Sequence, residues 1–171
     1  MKLPKFPLFP CLAFALTGCV ASHPQTADEF RAAVPGAFTA KFESFTVNRP
    51  FSEVAHAFQQ KAPECLDVRI KTTSQTTMSY QVIVTKYNPT VRVSDQRAEL
   101  HLQQDHEQGV MNVTEKPGGG YYLMVADAIR VGPNETQIDI YRPSMGYKHL
   151  TQAIRGWASG ENLGCPDLTK V

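Results

Sequence analysis

Two histidines and an aspartate close together in the chain are the first candidates for chemistry. His101, Asp105 and His106 are residue types that bind metal ions. Positions 101 and 106 differ by an odd number, so on a regular strand the two imidazoles point to opposite faces of the sheet. The spacing therefore predicts no metal site, and no cofactor is expected.

Hydrolytic chemistry would need a nucleophile, a base and an acid in contact. Ser144, His149 and Asp139 supply those residue types, but nothing in their spacing brings them together. The chain has no G-x-S-x-G or H-E-x-x-H motif. The glycine-rich segment Pro117–Gly120 leads into a predicted strand, so it predicts a hairpin turn rather than a phosphate site at a helix N-terminus. We therefore expect a non-enzymatic protein.

The N-terminus carries the most informative spacing. Lys2 and Lys5 precede an uncharged apolar segment of eleven residues, Phe6–Leu16. Such a segment is too short to span a membrane and is typical of an export signal. It ends in Leu-Thr-Gly-Cys at residues 16–19, which resembles the lipobox of bacterial lipoproteins. That pattern is an aliphatic residue, two small or neutral residues and an essential cysteine.

The resemblance implies a lipid anchor at Cys19. In bacterial lipoproteins the thiol carries a diacylglycerol, the chain is cut just before the cysteine, and the new amine is usually acylated. Two or three acyl chains hold a protein firmly at a membrane, whereas one holds it reversibly. Val20 follows the cysteine and no aspartate does, so the sorting preference known for enteric bacteria implies the outer membrane, facing the periplasm. The alternative is an ordinary secretory signal cut after Ala21.

The remaining cysteines fit an exported protein. Cys11 would leave with the signal and Cys19 would carry lipid, so Cys65 and Cys165 remain in the folded part. An even pair in an oxidising compartment predicts one disulfide, and two buried free thiols are the alternative. Neither cysteine has a second cysteine or a histidine at ligand spacing, which argues against zinc.

The overall composition suits one packed domain. The chain has 171 residues, 42% of them apolar, and a formal net charge of +1, so nothing predicts binding to nucleic acid. Loss of the signal would remove two lysines and no acid, and this balance predicts no basic face for phosphates. We divide the chain into a signal (1–18), an anchored linker with a short helix (19–37) and one domain (38–171).

Helical and strand periods follow one another in the first half of the chain. A capping box beginning at Thr26 opens a short helix. Phe38–Val47 alternates with one slip of phase, which predicts a strand with a bulge. Apolar residues at helical spacing begin at Phe51 and predict a helix that ends near Lys61, because Pro63 would remove a hydrogen bond from a regular helix. A further turn is expected to re-form from Pro63 to Asp67.

From Val68 onward the apolar period changes to two. The predicted strands centre on Val68 and Ile70, Tyr80 to Val84, Ala98 to Leu102, Val110 to Val113, Tyr121 to Val131, and Ile138 and Ile140. The predicted turns are Asn88 with Pro89, His106–Gly109, Pro117–Gly120 and Gly132–Glu135. Turns this short require antiparallel neighbours, which predicts a meander. The helical period returns at Tyr147, Leu150, Ile154 and Trp157, and Gly160 ends it.

The sequence therefore predicts an α+β fold, in which two helices cover one face of an antiparallel meander of about six or seven strands. This order of elements resembles the helix-grip fold of START and Bet v 1-like proteins, in which a curved sheet wraps a long C-terminal helix. Phe45–Phe58 resembles their opening strand and helix. The C-terminal helix predicted here is shorter, and a shared topology does not fix a function.

Two functions are expected of such a protein. The first is a lipid-anchored, non-enzymatic periplasmic module that binds or assembles with another envelope protein. The alternative is a carrier or sensor of an apolar ligand in a helix-grip groove, since aromatic and methionine residues are frequent along the predicted strands. They are Tyr80, Tyr87, Met111, Tyr121, Tyr122 and Met124. An ordinary core with scattered surface aromatics would explain the same residues.

Overall fold

One antiparallel sheet organises the chain. The structure is a computed structural model that describes residues 23–75, 80–106, 116–142 and 146–169. The strands of these residues are β1 (Lys41–Val47), β2 (Arg69–Gln75), β3 (Tyr80–Val93), β4 (Arg97–His106), β5 (Tyr121–Gly132) and β6 (Glu135–Arg142). The helices are α1 (Ala27–Ala33), α2 (Phe51–Leu66) and α3 (Lys148–Ser159). The predicted α+β meander is confirmed, whereas the strand predicted at Val110–Val113 lies outside the described residues.

The strand order is β1-β6-β5-β4-β3-β2, with every pair antiparallel. Strands β2 to β6 follow one another as a meander, and β1 pairs with β6 from Lys41↔Arg142 to Val47↔Thr136. The first and last strands are therefore neighbours. This open sheet agrees with a helix-grip-like description.

Helices α2 and α3 cover one side of the sheet, which we call the inner face. Phe58 and Leu66 of α2 are fully buried, as are Ile154 of α3 and strand residues such as Leu100 and Ile140. Of the predicted apolar stripe, Leu150, Ile154 and Trp157 are buried in α3, whereas Tyr147 precedes the helix and is partly buried. The helix ends at Gly160, whose φ of 82° is the left-handed conformation of a helix C-terminus. The inner face is thus the main apolar core.

Helix α1 lies on the opposite side of the sheet, the outer face. Phe30 and Val34 pack against Val125, with Tyr122 and Tyr141 at the border of this small cluster. The predicted N-cap is present, because Thr26 Oγ1 accepts a hydrogen bond of 3.1 Å from the backbone N–H of Glu29. The short helix of the predicted linker segment is therefore packed on the sheet.

Helix α2 continues through Pro63, which corrects the predicted end near Lys61. It is one helix of 16 residues from Phe51 to Leu66. Pro63 lies on the exposed side of the last turns, while Ala62, Cys65 and Leu66 on either side of it are buried. Water can hydrate the carbonyl that loses its donor, and burial of the neighbouring side chains keeps the final turn helical.

Asn88 and Pro89 lie inside β3, not in the turn predicted there. Tyr87 donates its backbone N–H to Val68 O at 2.9 Å, so the odd-numbered residues of β3 direct their backbone groups towards β2. Strand β2 pairs with β3 only as far as Lys86. Pro89 therefore faces a side of β3 with no described strand beside it, and its missing N–H costs no ladder hydrogen bond.

Strand β1 has a regular register with β6, so the predicted bulge is absent. Phe38 precedes the strand and is fully exposed. The slip of phase in the sequence arises because both faces of β1 carry an aromatic ring. Phe42 contacts Tyr141 on the outer face, with ring centroids 4.9 Å apart, and Phe45 borders the inner core beneath Arg155.

The predicted disulfide joins Cys65 at the end of α2 to Cys165 beyond α3. The chain after α3 returns over the helices. Leu163 packs directly against Gly156, since a Cβ added to this glycine would lie 2.2 Å from Leu163 Cδ1. Leu168 is buried near Tyr87. The disulfide thus fastens the C-terminal segment to the inner-face helices.

Candidate functional site on the outer face of the sheet

An ion pair fixes α1 to the sheet. Arg31 binds Asp127 of β5 through two hydrogen bonds, Nε to Oδ2 at 2.8 Å and Nη2 to Oδ1 at 2.7 Å. The Asp127 side chain is 1% exposed and that of Arg31 is 12% exposed. A paired fork of this kind is the strongest geometry for a guanidinium and a carboxylate. Removing Arg31 would leave the buried Asp127 carboxylate without its charged partner. Removing Asp127 would leave Arg31 paired with Asp28 and Glu99.

Glu99 extends this ion pair along β4. Its Oε1 lies 3.2 Å from Arg31 Nη2, and its Oε2 lies 3.1 Å from His101 Nε2. Burial by itself would raise the pKa of Glu99, but the nearby Arg31 and His101 lower it below its usual range. The pKa of Arg31 shifts in the opposite direction. Burial would lower it, but the nearby carboxylates of Asp127 and Glu99 raise it. We call Arg31, Asp127, Glu99 and His101 the outer-face network.

His101 is the buried end of the network. Burial lowers the pKa of His101, and the cations Arg31 and Arg92 add to that effect, so they outweigh the opposing attraction of Glu99. The imidazole is therefore neutral near pH 7. A carboxylate only accepts hydrogen bonds, so the neutral ring carries its proton on Nε2 and leaves Nδ1 as an acceptor.

A groove of about 450 Å³ opens beside the network. Its walls come from β3, β4, the start of β5 and the turn that precedes β5. The residues that line it are Asp67, Lys86, Asn88, Pro89, Thr90, Arg92, His101, Gln103, Gly118, Gly119 and Tyr122. Most are polar, and Lys86 and Arg92 are exposed cations. We call this the outer-face groove, and its chemistry suits a polar or peptide ligand better than an acyl chain.

Two side-chain amides hold one wall of the groove in place. Gln103 Nε2 donates to Gly118 O at 2.9 Å and to Gly120 O at 2.8 Å, while Asn88 Nδ2 donates to Gly119 O at 2.7 Å. The predicted turn at Pro117–Gly120 is present, closed by a bond from Gly120 N–H to Pro117 O. Gly120 has φ of 107°, and a Cβ there would lie 2.3 Å from Gln104 O. Only glycine fits this position.

The other residues considered for chemistry lie apart. His106 Nδ1 is 3.0 Å from Thr85 Oγ1, and Asp105 pairs with Lys116 at 2.7 Å, so neither reaches His101. No group of three or more metal-binding side chains occurs among the described residues.

The hydrolase residue types are also separate in the described part of the chain. Asp139 accepts a hydrogen bond from Ser44 at 2.6 Å and lies in β6. His149 is an exposed residue of α3, and Ser144 lies outside the described residues. Nothing described therefore assembles these residue types into a nucleophilic site.

The space between helices and sheet is filled by side chains wherever the structure describes it. Phe58, Leu100, Leu102 and Met124 are among the side chains with essentially no exposure. Tyr87 is also buried there, whereas Tyr122 lies on the outer face against Phe30. Tyr80 has only its backbone described, and Met111 lies outside the described residues. The described inner face thus offers no observation in favour of an apolar ligand.

Sequence reasoning missed the outer-face network. Its one local signal is Asp127, an acid in an otherwise apolar stretch of β5. Arg31 is 96 residues away in the chain, so no motif connects the pair. Gln103 and Asn88 carry no signal of their own.

Comparison with known proteins gives no match, either to a family model or to a curated protein sequence. None of the helices in the described ranges is long and apolar enough to cross a bilayer.

Proposed function

We propose that this protein is a lipid-anchored, non-enzymatic module of the bacterial cell envelope. Cys19 would carry the lipid and hold the domain at the outer membrane, on the periplasmic side. The outer-face groove would bind another envelope protein. One observation carries the proposal: Leu-Thr-Gly-Cys at residues 16–19 resembles a lipobox. The helix that follows in the chain is fixed to the sheet by the buried ion pair between Arg31 and Asp127.

The fixed helix limits how far the domain can move from the membrane. His23 lies four residues after Cys19, and its ring is 4.7 Å from that of Tyr121 at the start of β5. A fully extended chain spans at most about 3.5 Å per residue, so a lipid on Cys19 stays within about 14 Å of His23. The start of β5 would therefore be the membrane-proximal end of the sheet, and we call it the anchor end.

The disulfide supports the same compartment. Cys65 and Cys165 are bonded, and structural disulfides are typical of the periplasm and rare in the cytosol. Placement at the outer rather than the inner membrane rests on Val20, through the sorting preference of lipoproteins in enteric bacteria.

The anchor is tested by replacing the Cys19 thiol with a hydroxyl. We expect Cys19→Ser to abolish cleavage before residue 19 and lipid labelling, and to remove the mature protein from floated membranes. Cys11→Ser, in the signal itself, is the matched control and should leave processing and flotation unchanged. A Cys19→Ser protein that is still cut before residue 19 and still floats would contradict the anchor.

The groove is tested by site-specific photo-crosslinking in intact cells. A photoreactive residue replaces Thr90, which is exposed in the outer-face groove, or Gln59, which is exposed on α2 at the other side of the sheet. We expect one discrete adduct from position 90 that position 59 does not give. Adding Arg92→Glu to the Thr90 probe should reduce that adduct. Identical adducts from both positions, or none from position 90, would exclude the groove as the binding surface.

A further inference from the structure

A second groove lies at the other side of the sheet, between the β1 edge and α3. It has a volume of about 520 Å³. Its lining residues are Lys41, Glu43, Arg142, Lys148, Thr151, Gln152 and Arg155. Four of these seven are cations and one is an acid. The overall charge balance predicted no basic face, and this prediction was wrong. Folding brings cations from β1, β6 and α3 together, which a net charge does not reveal. We call this the basic groove.

Glu43 compensates only part of this charge. Its Oε1 accepts from Arg142 Nη2 at 3.0 Å, and its Oε2 accepts from Arg155 Nη2 at 3.1 Å. Burial would raise the pKa of Glu43, but the two arginines hold it below its usual range, so the carboxylate is ionised at neutral pH. Lys41 and Lys148 are exposed and form no ion pair with any described residue. The groove therefore keeps a net charge of about three positive units at neutral pH.

The two arginines differ in what they offer to an anion. Arg142 has a side chain only 7% exposed, and its Nη1 donates to Gly146 O at 2.6 Å. The Arg155 guanidinium lies over the Phe45 ring, 4.1 Å from the centroid. Both Nη atoms of Arg142 are engaged by Gly146 and Glu43, so that residue contributes charge to the groove. Arg155, 44% exposed, and the two exposed lysines are the groups that can contact an anion. Guanidinium groups bind phosphate oxygens through paired hydrogen bonds, and ammonium groups add point charge.

The basic groove lies at the anchor end of the sheet. Lys41 pairs with Arg142 where β1 begins and β6 ends. Strand β5 runs antiparallel to β6, with Val125 opposite Tyr141, so the start of β5 at Tyr121 is at the same end. Two strand spacings of about 4.8 Å separate β5 from β1. The ring of His23, which contacts Tyr121, is therefore near the same end of the sheet as the groove.

We propose that the basic groove binds the phosphate of anionic phospholipid headgroups in the membrane that holds the anchor. This inference rests on the proposed anchor at Cys19, since the anchor brings this end of the sheet to the bilayer. Basic residues within a Debye length of an anionic surface are attracted to it. The contact would give the domain one orientation, with the basic groove turned to the lipid.

The test uses the full, lipidated chain reconstituted in vesicles of phosphatidylethanolamine, alone or mixed with phosphatidylglycerol. Acetylation of individual lysines by an amine-reactive reagent is measured by mass spectrometry. The attraction of one basic residue to an anionic surface, about 1 kcal/mol, corresponds to a factor of about five. We therefore expect labelling of Lys41 and Lys148 to fall about fivefold when phosphatidylglycerol is present. Lys61, which pairs with Glu64 on α2, is the internal control and should be unchanged.

Two variants sharpen the test without removing the reporter lysines. Arg155→Gln takes one exposed cation from the groove and should weaken the protection of Lys41 and Lys148. Arg92→Gln removes an equal charge from the outer-face groove and should leave protection intact. Equal effects of the two variants would show general charge attraction and overturn the assignment to the basic groove.

The remaining outcomes separate the two proposals. Flotation of the same samples reports the anchor, and protein that does not float overturns the anchor and the membrane role of the groove together. Protein that floats without protection of Lys41 and Lys148 overturns the groove proposal alone. Equal protection by inorganic phosphate in vesicles of phosphatidylethanolamine alone would indicate a site for free phosphate and overturn the headgroup assignment.

Discussion

The two faces of the sheet are covered by different means. On the inner face, α2 and α3 bury a continuous apolar core against four strands or more. On the outer face, α1 has only seven residues and buries a small cluster around Phe30 and Val125. A helix of that length is not stable alone in water. The ion pair between Arg31 and Asp127 supplements a small apolar cluster in holding α1, whereas apolar area alone accounts for the position of α2 and α3.

Because the two faces are covered differently, mutations on them should destabilise the protein differently. Loss of an inner-face side chain leaves a cavity in the core that supports the whole sheet, so the cost is global. Loss of an outer-face charge can be relieved locally, because α1 can detach and let water reach the remaining partner. The following experiments compare the faces in this respect.

The largest effect is expected at the inner face. Trp157→Ala should lower the free energy of unfolding by about 3 to 5 kcal/mol, because it empties a fully packed site. The Trp157 Nε1–H has no partner among the described residues, so Trp157→Phe should cost clearly less. Lys148→Ala, at an exposed position of the same helix, should change stability by less than about 1 kcal/mol. Urea denaturation measures all three, and equal costs for Ala and Phe would contradict this packing.

At the outer face, Asp127→Asn should cost about 1 to 3 kcal/mol, since it removes a charged partner from buried hydrogen bonds. Hydrogen exchange should accelerate at the amides of α1 and remain slow in α2 and α3. Glu135→Gln, at an exposed position of β6, is the control. If exchange accelerates equally over both faces, then the outer face is not an independent unit.

The outer-face groove offers a comparison within one turn. Gly120→Ala should cost about 1 to 3 kcal/mol, because alanine would be strained at positive φ and its Cβ would meet the Gln104 carbonyl. Gly118→Ala should change stability by less than about 0.5 kcal/mol, since nothing lies within 4 Å of its added Cβ. Thermal denaturation of the pair measures the difference. Similar melting temperatures would show that the turn does not hold this conformation.

The smallest effect should be a pH dependence at His101. Its folded pKa lies below the unfolded value, so the folded state binds fewer protons and stability falls as pH drops below about 6.5 towards the folded pKa. His101→Gln should reduce the loss of stability between about pH 8 and pH 5.5. His56→Gln, at an exposed position of α2, should leave that loss in place. An unchanged profile in His101→Gln would mean that the buried imidazole does not control it.

The sequence predicts one face far better than the other, for a physical reason. Apolar periodicity is local, so the stripe ending at Trp157 and the alternation of β4 could be read directly. The pairing of Arg31 with Asp127 depends on folding across 96 residues and has no local pattern.

The two prolines show the same limit. By local rules, Pro63 should end a helix and Pro89 should end a strand. In the structure Pro63 lies on the exposed side of a helix, and Pro89 lies at a strand edge with no partner strand among the described residues. In each case the tertiary position removes the penalty that the local rule assumes. The predicted breaks at these residues were wrong for that reason.

Pro89 affects how the sheet edge of one molecule can meet the edge of another. An open sheet exposes edges that can pair with the edge of another copy and start aggregation. Under the anchor proposed at Cys19, copies would share a membrane and meet in two dimensions, so their sheet edges would collide often. On the side of β3 with no described strand beside it, the ring of Pro89 replaces a hydrogen-bond donor in the segment that such pairing would use. Pro89, which the sequence places in a turn, would thus limit edge pairing between neighbouring anchored molecules.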